Sequence, residues 1–354
     1  MSGQSSGEDD RSLLARYGRQ MALPQVGPDG QRRLRACRVA VVGCGALGSA
    51  LANTLVRAGV GYLRLIDRDF LELDNLQRQT LFDEQDVAAD LPKAEAAARK
   101  LRRVNSQVTI EPVVADLHSE NALELCSDVE LLLDGTDNLE TRYLLNDVAV
   151  SSGRPWVYGA CLGTEGLVLP IVPRRTACLR CVWEEPPPPG SLPTCETAGI
   201  LATTVQVVAA FQATAALQIL LGRERELCCD LLAIDVWSGT VRRVNTQSAF
   251  AARLCPCCGR GRYEYLEGSR GSSSAILCGR TAVQILPSAT AAPLPLADLA
   301  ARMPPEWQPH GNEFLLRFVV QGLRVTVFPD GRAIIQGTSD LATARAVYAR
   351  CVGM

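Results

Sequence analysis

The segment from Arg38 to Asp67 constrains this chain more than any other. An apolar run, Arg38-Val-Ala-Val-Val42, leads into the glycine cluster Gly43-Cys-Gly-Ala-Leu-Gly48, a helical pattern continues through Ala58, and Tyr62 to Ile66 forms a second apolar run ending at Asp67. Short apolar runs bounded by glycine read as buried strands, so the segment is a βαβ unit. Alternation continues with a helix from about Pro92 to Val104, strands near Val108 to Val113 and Val129 to Leu133, and a helix after Asn138. Trp156 to Ala160 and Gly166 to Val172 read as later strands of the same sheet. Strands alternating with helices predict an α/β protein with a mostly parallel sheet covered on both faces.

The glycine cluster fits G-x-G-x-x-G between a strand and a helix, and Asp67 follows Gly43 by 24 residues. Glycines at 43, 45 and 48 let the backbone turn tightly and approach a phosphate chain, while amides at the helix start supply partial positive charge. Asp67, at the end of the next strand, is placed to accept hydrogen bonds from a ribose. The expected architecture is therefore a Rossmann-like nucleotide-binding fold. The same arrangement serves NAD, flavin-adenine and ATP-type ligands, and taken alone it favours a nicotinamide dehydrogenase.

The residues that follow argue against hydride transfer. In DRDFLELDNLQRQTLF, the polar side chains Asp69, Asp74, Asn75, Arg78 and Gln79 crowd the loop after Asp67. A reacting triphosphate needs guanidinium and amide donors of this kind. Of the 36 basic residues only Lys93 and Lys100 are lysine. Lys93 opens a helix, where its ammonium opposes the macrodipole, so a phosphate partner explains it better than helix stability does. The strand ending LLLDGTDNLETR puts Asp134, Asp137 and Asn138 at a sheet's carboxyl end. A carboxylate such as Asp137 can hold magnesium against phosphate oxygens there, or cap the next helix.

Together, GCGALGS, LIDRDFLELDNLQRQTLF, PKAEAA, DGTDNLETR and the paired cysteines resemble the MoeB/ThiF family of adenylyltransferases, relatives of ubiquitin-activating enzymes. The resemblance runs from about Arg16 to Gly259, beginning with RYGRQ. One departure is Ala46, which stands where the family's GxGGxG loop has its second paired glycine. The resemblance implies adenylation, with Mg2+, of the C-terminal glycine carboxylate of a small ubiquitin-like sulfur carrier, releasing pyrophosphate. It places ATP against the loop at Gly43, Gly45, Ala46 and Gly48, and against Asp67, Asn75, Arg78, Lys93, Asp137 and Asn138. It also implies a homodimer in which Arg19 reaches the partner's phosphates.

Cys178-Leu-Arg-Cys181 and Cys255-Pro-Cys-Cys258 are two CxxC knuckles with 73 residues between them. Two such pairs supply the four thiolates of a closed, structural zinc site. Spacing alone lets Cys257 replace Cys258. Cys195, in PTCETAGI, precedes a long uncharged helix, where a thiol gains thiolate character. In relatives a cysteine here attacks the acyl adenylate or carries sulfur, though some members work without one.

Formal charge is −2, so no global basic field collects nucleic acid or an anionic membrane. His118 and His310 are the only histidines and sit near no serine or cysteine motif, which disfavours triad hydrolysis. No charge occurs from Thr197 to Gly222, long enough to span a membrane. Its recurring Thr and Gln, with no flanking basic cluster, favour a helix buried in the protein or at a subunit interface. The acidic N-terminus is no signal peptide, and the cysteine usage reads as a reducing, cytoplasmic setting.

The expected organisation is a disordered stretch at 1–12, an adenylation domain with its zinc site at 13–259, a Gly/Ser-rich linker at 260–274 and a small α+β domain at 275–354. The last shows no cysteine-centred anion loop to donate sulfur, so a donor would be a separate protein. Two alternatives stand beside carrier activation. One is adenylation of a peptide or other carboxylate, and the other is a silent member that binds nucleotide and partner.

Overall fold

A computed structural model describes residues 15–187, 198–270, 282–285 and 294–352. The stretch 1–12, Cys195 and all of 271–281 lie outside them. The chain divides into two units, 15–187 with 198–270 in the first and 282–285 with 294–352 in the second.

In the first unit, α1 (Gly18–Met21) and α2 (Gly27–Ala36) precede β1 (Arg38–Val42), α3 (Ala46–Ala58) and β2 (Tyr62–Ile66). After α4 (Glu84–Ala88) come α5 (Lys93–Val104), β3 (Thr109–Val113), α6 (Ala122–Leu125), β4 (Leu131–Asp134) and α7 (Leu139–Ser152). Then follow β5 (Trp156–Leu162), β6 (Glu165–Ile171), α8 (Leu179–Val182), α9 (Ala202–Leu220), β7 (Leu231–Asp235), β8 (Thr240–Val244) and α10 (Gln247–Ala251).

One eight-stranded sheet runs in the order β3-β2-β1-β4-β5-β6-β7-β8. The first five strands are parallel, with Val39 beside both Leu63 and Leu131, and β6 to β8 continue antiparallel. Val39, Ala40 and Val41 are fully buried, as continuous aliphatic runs are in a sheet covered on both faces. The order reverses between β1 and β4, so their carboxyl ends open a crevice of the kind that takes ligands.

The uncharged helix α9 is long and apolar enough to cross a membrane. It nevertheless packs on β5, β6 and α3, and buried Gln212 donates to the carbonyls of Asp134 (2.9 Å) and Val157 (3.2 Å), as a core helix does. The hairpin β7–β8 has no counterpart in the sequence expectations. Nor does 260–270 behave as a linker. Tyr265 is buried and its N–H donates to Asp147 at 3.0 Å, while Glu264 pairs with Arg180 at 2.8 Å.

The second unit holds β9 (Ala282–Ile285), α11 (Leu296–Ala301), β10 (His310–Gly311), β11 (Leu316–Val320), β12 (Leu323–Val327), β13 (Ala333–Gln336) and α12 (Leu341–Val352). Its antiparallel sheet has the order β10-β11-β12-β13-β9. Gln321 and Gly322, both at positive φ, close the two-residue β11–β12 turn. Val283, Phe318, Val325, Ile335 and Val347 share its core.

Candidate active site and cysteine centre

The glycine loop is locked from below. Gly43 has φ +87°, and a Cβ there would lie 2.5 Å from the carbonyl oxygen of Gly135. A Cβ on Gly48 would fall 1.7 Å from the Gly43 carbonyl oxygen, so α3 meets the loop backbone with no room for a side chain. Gly45 differs, since a Cβ there would meet only Gln79 Nε2 at 3.9 Å. Its openness suits ligand approach, whereas the other two glycines serve packing. Ala46 is the first residue of α3 and keeps a negative φ, so its methyl causes no backbone strain.

Asp67, just past β2, accepts the Cys44 N–H at 2.5 Å and the Asp69 N–H at 2.7 Å, tying β2's end to the glycine loop. Burial pushes its carboxyl up to about 6 against the pull of the Lys93 ammonium. Lys93 does open α5, but its Nζ lies 3.3 Å from Asp69 Oδ2, and its N–H donates to the Asp69 carbonyl at 2.8 Å. Its side chain is only 7% exposed. The ammonium at this helix start thus has a carboxylate counter-ion, which the sequence argument did not foresee.

Residues 73–79 coil against the same loop. Asn75 is buried and its side-chain oxygen accepts the Glu72 N–H, closing a 3-10 turn at Leu73–Asn75. Asp74 is exposed, and Arg78 donates to its carbonyl at 2.9 Å. Gln79 is buried beside Gly45, with its Oε1 lacking a hydrogen-bond partner. That acceptor is available to a donor bound over the loop.

Beyond β4, Asn138 caps α7 by accepting the Thr141 N–H at 2.8 Å, an interaction of about 1 kcal/mol. The capping role offered to Asp137 therefore belongs to its neighbour, and Asp137 projects exposed. Behind it, fully buried Asp134 accepts from Arg142 Nε at 3.1 Å and from the Thr136 hydroxyl at 2.7 Å. Arg142 also reaches the carbonyls of Thr136 (2.7 Å) and Gly159 (3.0 Å), so this pair shapes the Gly135–Asp137 turn.

Arg68, absent from the sequence expectations, binds Asp116 Oδ2 at 2.7 Å and lies 3.8 Å from Asp69 Oδ1. Its composition signal was hidden among 34 arginines. Asp116 likewise gave no motif, and Arg142, although it closes the DGTDNLETR motif, gave no sign that its partner would be Asp134.

Arg19 is exposed on α1, away from the glycine loop of its own chain. Gln20 donates to the Ala58 carbonyl at 2.9 Å, and the Tyr17 hydroxyl accepts from Asn105, which also binds the Val56 carbonyl. These contacts anchor α1 at the far end of α3, whose length of roughly 20 Å exceeds an arginine's reach.

Four sulfurs converge elsewhere on the unit. Those of Cys178, Cys181, Cys255 and Cys258 lie within 4.8 Å of one another, with Cys178 to Cys255 at 3.5 Å and Cys181 to Cys258 at 3.3 Å. Such a set fits a tetrahedral thiolate-bound metal and leaves no ligand position for water. Cys257 is excluded from it. Its sulfur instead accepts from Asn146 Nδ2 at 3.2 Å, and Asn146 Oδ1 takes the Leu179 N–H at 2.8 Å.

The sequence profile described as ThiF family matches residues 17–257. The chain is 40% identical over 346 residues to the sulfur carrier protein ThiS adenylyltransferase of Bacillus subtilis (strain 168), covering 96% of this chain and all of the relative. It is also 40% identical over 251 residues to the sulfur carrier protein adenylyltransferase of Thermus thermophilus, covering 70% of this chain and 91% of that one. Among solved structures, E. coli MccB with MccA-N7isoASN superposes with a TM-score of 0.58 at 22% identity, over 65% of this chain and 72% of its own. That likeness concerns the fold.

Proposed function

Because the chain belongs to the ThiF family, we infer that it is an ATP-dependent adenylyltransferase acting on the C-terminal glycine carboxylate of a ThiS- or MoaD-like sulfur carrier. The observation that carries this reading is the convergence of the Gly43–Gly48 loop, Asp67, Gln79 and Lys93 at the sheet's switch point. The carrier's carboxylate oxygen forms a bond to the α-phosphorus of ATP while the bond to the bridging oxygen breaks, and pyrophosphate leaves with that electron pair. The attacking group is already an anion, so no general base is needed. The protein's task is positioning and charge neutralisation.

In this reading Asp67 accepts from the ribose, the glycine-loop amides and Gln79 line the nucleotide, and Lys93 and Arg78 face the phosphates. Asp137, Asn138, Asp69, Asp74 and Asn75 complete the rim. Asp137, exposed and free of capping, would hold Mg2+, which supplies neutralisation of the triphosphate. Cys178, Cys181, Cys255 and Cys258 would hold Zn2+ in a structural role. A homodimer supplies Arg19 from a second copy, because α1 is anchored at the wrong end of α3 to serve its own loop. A cytoplasmic setting suits the reduced thiols.

Pyrophosphate exchange with a panel of carriers ending in Gly-Gly tests the reading. Label returning to ATP with one carrier supports it and names the pathway. Exchange with none of them, but with a short peptide carboxylate, supports the peptide alternative. No exchange at all together with ATP binding supports a silent member.

A further inference from the structure

The Lys93 ammonium acts on Asp67, yet it already faces a carboxylate. What leaves it able to attract a triphosphate is the arrangement around Asp69. Oxygen Oδ2 of Asp69 lies 3.3 Å from Lys93 Nζ, and the other oxygen, Oδ1, lies 3.8 Å from Arg68 Nε. Arg68 is in turn held on its far side by Asp116 at 2.7 Å. The row therefore alternates in sign: Asp116, Arg68, Asp69, Lys93.

The backbone of Asp69 is fixed without Arg68. Its N–H donates to Asp67 Oδ1 at 2.7 Å and its carbonyl accepts the Lys93 N–H at 2.8 Å. Removing the guanidinium should consequently leave the loop in place and change the charge balance. Asp67, Asp69, Asp116 and Asp137 bring four negative groups to these strand ends, which by themselves would repel nucleotide phosphates.

We propose that Arg68 is a positioning residue of the nucleotide site, acting through Asp69: it takes a share of that carboxylate's charge and so leaves the Lys93 ammonium with attraction to spare for phosphate. This rests on the adenylyltransferase reading for its ligand. The effect is electrostatic and local. It therefore acts on ATP affinity more than on folding, and it vanishes when Asp69 is made neutral.

The test is calorimetric titration of the full chain with Mg-ATP, with a thermal melt of every variant. Arg68→Met should weaken ATP about tenfold, the size of one charge interaction lost from a half-buried site. Arg68→Lys should recover most of that loss, and so should the double variant Arg68→Met/Asp69→Asn. A purely structural arginine would give a lowered melting temperature that Asp69→Asn does not repair. Wild-type affinity in Arg68→Met, or a double variant binding no better than Arg68→Met alone, overturns the proposal. If Arg68→Met does not fold, Asp116→Asn frees the same guanidinium for Asp69 and removes one repelling carboxylate. It should tighten ATP several-fold, and less so in an Asp69→Asn background, whereas weakened or unchanged affinity counts against the idea. A wild-type protein that ignores ATP altogether would strike the functional reading instead.

Discussion

Replacing Arg142 with leucine should be among the most damaging single changes near the site. Asp134 is fully buried, and its carboxylate loses a partner at 3.1 Å while the carbonyls of Thr136 and Gly159 lose theirs at 2.7 and 3.0 Å. Breaking a buried ion pair from one side costs about 3–5 kcal/mol, because the remaining charge stays desolvated. For a unit of this size that corresponds to a fall in melting temperature of roughly 10 °C. Burial already raises the Asp134 pKa, with Arg142 opposing the rise, so the variant's carboxyl must rise further. A carboxyl with a raised folded pKa stabilises most when protonated, and that contribution disappears as pH climbs through the folded value. The gap between variant and wild type should therefore narrow as pH falls into the carboxylate range. Urea unfolding at several pH values measures it, and Asp134→Asn/Arg142→Leu should recover part of the loss. A single variant within about 1 kcal/mol of wild type at neutral pH would refute the assignment of this pair.

Three further outcomes are expected. Metal analysis should find one zinc per chain, lost together with thermal stability in Cys181→Ser but retained in Cys257→Ser, because Cys257 accepts from Asn146 and stands outside the group of four sulfurs. ATP affinity should fall by up to about tenfold per pH unit below about 6, as Asp67 gains a proton and loses acceptor capacity, and Asp67→Asn should abolish that component in titrations across pH. The sign for folding is opposite, since the raised Asp67 pKa favours the protonated form and its stabilisation is lost as pH rises through about 6. Finally, Cys195→Ala should leave pyrophosphate exchange intact, and a loss of exchange would place that thiol in the first chemical step.

Much of the first unit is legible because strands buried on both faces leave unbroken apolar runs. Arg38–Val42 and Tyr62–Ile66 were readable to the residue for that reason. The β7–β8 hairpin was not, although Leu231–Asp235 and Thr240–Val244 flank a Ser-Gly turn. β8 is an edge strand carrying Arg242 and Arg243, so its alternation is weak. The stretch 260–270 has the composition of a linker, yet Tyr263, Tyr265 and Leu266 give it apolar anchors that glycine content obscures. Of the candidate site residues, those with a motif around them could be named from the sequence. Arg68, Asp134 and Arg142 also stand inside those motifs, but their ion pairs required the fold, because a motif names residues and not which of them meet. At Lys93 such a pair misleads. A helix-start ammonium looked unexplained without phosphate, but Asp69, 24 residues earlier, already satisfies part of its charge.

The two centres of the first unit share one helix. At its start α7 presents Asn138 as cap and, within its first turn, Arg142, which shapes the loop that carries Asp137. Successive residues then turn toward the cysteine module. Tyr143 donates to the Trp183 carbonyl at 3.0 Å, Asn146 bridges Leu179 and Cys257, and Asp147 accepts the Tyr265 N–H. A helix is stiff along its axis and its side chains are fixed in register, so gripping its middle also fixes the rotation of its first turn. Four cysteines gathered around a metal would hold those gripping segments together. A metal there would bear on the chemistry without touching a reacting atom, because it would help set where the Asp137 turn stands beside the glycine loop.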